Sequence, residues 1–181
     1  MKIIDISLKL DENAAIYEGD PRFSSEVWKN VQDDGFMLST LRMGTHTGTH
    51  LDAPCHFISD GKTVAEISPR RCLGKCAVVD EIDAFAGGYS RVLISSRKKG
   101  GRITLAQAQR LIDLKVRLIG TERLSIGNDE VHRYLLGNDC VILKALDLSA
   151  APEGEYILSA LPLKIEADGC PVRAVLMVAE A

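Results

Sequence analysis

His46, His50 and His56 fall within eleven residues, with Asp52 among them, in a chain that has only one other histidine, His132. The run reads Thr45-His46-Thr47-Gly48-Thr49-His50-Leu51-Asp52-Ala53-Pro54-Cys55-His56. Imidazole and carboxylate packed this closely form the donor set of a divalent metal; zinc and manganese both suit it. In extended backbone all four side chains share one face. His46 and His50 would then stand about 13 Å apart, too far to share one ion. A helix would bring those two together but turn Asp52 about 200° from His50, and it would have to absorb Gly48 and Pro54. The expectation is a compact irregular loop that follows a strand, pivots at Gly48 and closes at Pro54. The hydroxyls of Thr45, Thr47 and Thr49 would satisfy its buried polar groups.

Two histidines and one aspartate leave a coordination position for water, as in catalytic rather than closed structural zinc sites. Zinc brings the pKa of such a water down to about 7 and so makes a nucleophile at neutral pH. His56 either completes a four-ligand structural site or stands free as a proton-transfer group, with an ordinary pKa near 6.5. Structural sites favour thiolates, so the catalytic role is the one adopted.

The elements that position this run alternate strand and helix signals. Residues 2–8 carry a period-2 pattern, and a loop over 9–23 ends in the turn Gly19-Asp20-Pro21. Strands are expected at 24–30 and 36–43, leading straight into the histidines, and then at 76–80, 92–95, 116–119, 140–144, 155–159 and 172–179. Thr104 and Gln107 form a capping box that opens a helix with Leu105, Ala108, Leu111 and Ile112 on one face. Asn128 caps a shorter helix carrying Val131, His132 and Leu135. The fold class is therefore α/β, strand-rich with two main helices, in one domain over residues 1–181.

Composition narrows the partners. Of 181 residues 46% are apolar and 26% charged, with a formal net charge of −3, which argues against nucleic acid or an anionic membrane surface. The basic run Arg97-Lys98-Lys99-Gly100-Gly101-Arg102 reads as a solvated loop. No apolar stretch approaches the roughly 18 residues of a membrane span. Five cysteines without a Cys-x-x-Cys pair, and an opening without a long apolar stretch, read as reduced thiols in a cytoplasmic protein.

The histidine run also matches, at every fixed position, the motif His-x-Gly-Thr-His-x-Asp-x-Pro-x-His. With Asp5-Ile6-Ser7, Gly19-Asp20-Pro21, Gly120 to Ser125, Ala160 to Lys164 and Pro171 to Leu176, the chain resembles the cyclase-like metal-dependent hydrolases. That family includes bacterial kynurenine formamidase and isatin hydrolase. The resemblance implies a swivelling β/β/α domain, a homodimer or higher homo-oligomer, a first metal on His46, His50 and Asp52, and His56 as acid/base. It implies a second metal held with His132 and a glutamate; read without the family, His132 is a surface helix residue. The glutamate's position is taken by Lys144, whose ammonium has only donors and repels cations. Glu122 and Gly127 also stand where the family has aspartates. One ion is expected, with the second site lost or altered. Lys144 then either supplies a fixed positive charge there or turns to solvent. Tyr17 matches a substrate-contacting tryptophan, or simply packs its turn.

The function expected is hydrolysis of a small amide, formamide (arylformamidase-like) or lactone by a metal-activated water. The alternatives are a non-catalytic or altered relative with a degenerate second metal site, and a lyase or dehydratase on the same centre.

Overall fold

The structure is a computed structural model that describes residues 1–98 and 101–178. Lys99 and Gly100 of the basic run, and Ala179 of the last expected strand, lie outside the described residues. The strands are β1 (Lys2–Asp5), β2 (Ser24–Lys29), β3 (Leu38–Arg42), β4 (His50–Asp52), β5 (Leu73–Val79), β6 (Arg91–Ile94), β7 (Leu118–Thr121), β8 (Val141–Lys144), β9 (Gly154–Ser159), β10 (Gly169–Pro171) and β11 (Val175–Val178). The helices are α1 (Val31–Asp34), α2 (Leu105–Asp113) and α3 (Asp129–Gly137).

Nine strands form one mixed sheet in the order β1-β11-β9-β5-β6-β7-β8-β4-β10. Its centre, β5 to β8, is parallel, and both flanks are antiparallel. β7 and β8 are buried along their whole length, as expected of parallel strands covered on both faces. Alternation sorts the core into two layers. Leu51, Leu93, Leu143 and Leu176 pack on one face. Val92, Ile94, Ile119 and Ile142 face the helices, meeting Leu111 of α2 and Val131 and Leu135 of α3. Each such fully buried Leu or Ile contributes roughly 1.5–3 kcal/mol.

Both helices begin at the expected caps. Thr104 and Gln107 make the reciprocal capping box, and the Asn128 side chain accepts from the Val131 amide. The expected strands at 24–30 and 36–43 exist as β2 and β3, but they pair only with each other, in a separate two-stranded sheet. Their alternation marks strands without naming a partner, and Trp28, Met37 and Leu41 remain exposed. β4 and β10 were not expected as strands. Three residues are too short to show a period.

Candidate metal centre

The polypeptide turns at Gly48, where φ is +62°, and then enters β4 between β8 and β10. The expectation of an irregular loop thus holds for residues 43–49 and fails at His50–Asp52, which is regular strand. His50 pairs with Lys144 and Pro171, and Asp52 with Ile142 and Gly169. Pro54 then opens a short 3-10 turn, Pro54–His56, that carries His56 back over the strand. The Thr49 hydroxyl donates to the Ala145 carbonyl and accepts from the Leu8 amide; the Thr45 hydroxyl donates to Asp168. Thr47 does not play the expected part: its hydroxyl is buried without a hydrogen-bond partner.

Strand parity puts His50 and Asp52 on the helix-facing side, and the pivot folds His46 onto them. One donor atom from each of His46, His50 and Asp52 lies within 4.8 Å of the others. His46 Nδ1 is 3.0 Å, and His50 Nε2 3.3 Å, from Asp52 Oδ1. Gly169 makes room for this packing, since a Cβ there would lie 2.5 Å from the His46 ring.

The residues fit a divalent ion, and an unpartnered nitrogen marks its place. His50 Nδ1 faces the Gly48 carbonyl at 2.7 Å, which can only accept, so Nδ1 carries the proton and Nε2 presents a lone pair. That nitrogen is buried without a hydrogen-bond partner and points towards a carboxylate oxygen, an arrangement that a cation relieves. Asp52 Oδ2 is not open to the same ion: the Lys144 ammonium pairs with it at 2.6 Å. Burial alone would raise the Asp52 pKa; the His46 hydrogen bond and the Lys144 charge hold it well below the usual carboxylate range.

His46 Nε2 also reaches Asp168, 2.8 Å from Oδ2. Burial opposes a charge on His46, but contacts with Asp52 and Asp168 outweigh it and raise the pKa above its ordinary value. A cation held here would compete with a proton for this ring. Asp168 was not anticipated from sequence. Burial works against its ionisation, but His46 and Thr45 bring its pKa down to about 2. It also accepts from His56 Nδ1 at 3.0 Å, so His46, His56 and Asp168 form a second donor group beside the first. The only sequence signal for it is an Asp-Gly step ahead of a strand. Burial lowers the His56 pKa, and the His46 and Lys144 charges add to this while Asp52 opposes it.

A cavity of about 250 Å³ opens over His46, His50 and His56, lined also by Tyr17, Asp20, Phe57, Leu124, Ser125, Asp129, His132 and Lys144. Tyr17 is 61% exposed. His132 is buried, not a surface helix residue; its ring stacks on Phe57 with centroids 4.9 Å apart, and Nδ1 donates to the Asn128 carbonyl. It lies outside both donor groups. Lys144 is buried rather than turned to solvent. Glu122 is a brace: its carboxylate accepts from the Ser96 and Leu148 amides.

Comparison with known proteins agrees with this architecture. The Cyclase family model matches residues 4–96. A kynurenine formamidase of Bacillus cereus is 33% identical over 200 residues, and one of Geobacillus thermodenitrificans 34% identical over 204; each match covers 96% of both chains. Isatin hydrolase A from Labrenzia aggregata, solved with benzyl benzoate bound, superposes with a TM-score of 0.85 at 24% identity, over 99% of this chain and 94% of that one. A protein of Bacillus stearothermophilus described as a predicted metal-dependent hydrolase gives 0.79 at 24% identity, over 97% of each chain. At those identities the solved structures establish the shared fold, and the sequence matches establish the lineage: the chain belongs to the cyclase family of metal-dependent hydrolases.

Proposed function

We propose that this chain hydrolyses a small amide, formamide or lactone, with arylformamides as the first class to test, at a centre where His46, His50 and Asp52 hold one zinc or manganese ion. The observation that carries this reading is the buried Asp52 with two imidazoles on one oxygen, beside the Asp168-bound His56, under a cavity of small-molecule size. When bound, the ion supplies Lewis acidity and a water of lowered pKa.

The chain's own groups do the rest. His56 donates from Nδ1 to Asp168, which leaves Nε2 as the nitrogen that exchanges protons. Its lowered pKa keeps the ring in the base form at neutral pH, able to take a proton from water and return it to the leaving amine or alcohol. Phe57 and Leu124 make part of the wall apolar, and Tyr17 offers a ring to an aromatic substrate. The relatives named kynurenine formamidase support the formamide class. Among the described residues no helix is long and apolar enough to cross a membrane, and five free cysteines, four of them buried, support a reducing cytoplasmic setting.

The test is turnover of N-formyl arylamines, cyclic amides and lactones before and after metal chelation. Activity should vanish with chelator and return with zinc or manganese. A fully metal-loaded protein inert towards all three classes would favour the non-catalytic reading, for which the Lys144–Asp52 ion pair is the supporting observation.

The functional unit we propose is a homo-oligomer. The β2–β3 hairpin exposes Trp28 and Met37 at 71% and 68%, an apolar surface suited to a second copy. Sedimentation equilibrium should give a dimer or larger species; a monomer at micromolar concentration would overturn this.

A further inference from the structure

Resting on the reading that the centre binds a divalent cation, we propose that Lys144 is the site's second cation: its ammonium takes the free side of Asp52 and limits the centre to one metal ion. The two oxygens of Asp52 serve different partners. Oδ1 meets His46 and His50, while Oδ2 lies 2.6 Å from Lys144 Nζ. A second cation on Oδ2 would need the space the ammonium fills.

Lys144 is held there by the fold. It is 5% exposed and sits on β8 in register with His50. The next residue, Ala145, adopts φ +53°, fixed by the hydrogen bond its N–H donates to the Arg123 carbonyl and by the one its own carbonyl accepts from the Thr49 hydroxyl. Among the described residues Asp52 is the one carboxylate in ion-pair range of Lys144. A buried ammonium with a single partner does not leave it without a large cost.

Ligand supply and charge agree. His46 belongs to both donor groups, but a neutral imidazole has one lone-pair nitrogen, so the two groups cannot each take an ion through it. At Asp52 itself the charge is already met: one carboxylate faces one ammonium and one divalent ion, and a second ion on Oδ2 would set two more positive charges against that ammonium. The ammonium also lines the cavity, where its remaining N–H donors can meet a carbonyl oxygen that gains charge during hydrolysis.

The experiment counts metal per chain by mass spectrometry after loading with zinc and desalting, and measures zinc affinity by titration calorimetry. It compares the unaltered protein with Lys144→Gln and Lys144→Glu, each checked for folding by circular dichroism. One ion is expected in the unaltered protein. Lys144→Gln should keep one ion and bind it about tenfold tighter or better, since a nearby positive charge is gone. Lys144→Glu should take up two. Two ions in the unaltered protein would overturn the inference and leave the hydrolase reading intact; none would overturn both. Weaker or unchanged zinc binding in Lys144→Gln, or a single ion in folded Lys144→Glu, would remove Lys144 from this role.

Discussion

Asp52→Asn is expected to abolish metal binding and turnover together, the largest effect of any single substitution in this chain. The amide keeps the shape but loses the negative charge that assembles the centre, and Asp52 is fully buried with both oxygens committed. Without the ion, the attacking water has a pKa near 15.7 rather than near 7, so activity should fall by about 10⁴-fold or more. The substitution also leaves the buried Lys144 ammonium without a carboxylate, a change that costs on the order of 3–5 kcal/mol. Urea melts of the metal-free proteins should register that loss. Adding Lys144→Gln to Asp52→Asn should recover part of it, because removing both charges costs less than stranding one. The recovered stability would return without recovered activity. An Asp52→Asn protein that still binds zinc and turns over substrate would displace Asp52 from the centre.

The chemistry of this chain was legible where it is local and hidden where it is not. His46, His50 and Asp52 share a segment, and the conflict between strand and helix spacing correctly required a bend at Gly48. The same argument missed that His50–Asp52 is strand, because its partners β8 and β10 lie about ninety and one hundred and twenty residues downstream. Local propensity carries no information about such pairings. Asp168 was missed for the same reason: its contact with His46 spans 122 residues. Lys144 was singled out by the family resemblance, at the position of a glutamate, yet only the register His50↔Lys144 places its ammonium against Asp52. The capping residues Thr104 and Asn128 lie beside the helices they start, and both were readable. β2 and β3 were readable as strands, but where they belong depends on contacts that the alternation of their residues does not encode.

His56→Ala separates proton transfer from metal binding, the two roles that sequence left open for this histidine. The His56 ring lies 3.9 Å from that of His46 and is tied to Asp168, but His56 is not part of the His46–His50–Asp52 donor group. Truncating it should therefore leave one ion per chain and change KM little, while kcat drops by about 10²–10⁴-fold, the usual contribution of a positioned acid or base. The pH profile gives the sharper test. Burial lowers the His56 pKa below its ordinary value of 6.5, so the base form persists as pH falls and is lost only when pH passes below that lowered pKa. The acid limb of kcat/KM should accordingly lie below pH 6.5 in the unaltered protein and disappear in His56→Ala. Added imidazole should restore part of the rate, because the truncation opens space beside Asp168 for an external base. Loss of the ion in His56→Ala would instead make this histidine a fourth ligand, and an unchanged kcat would leave it with no part in the reaction.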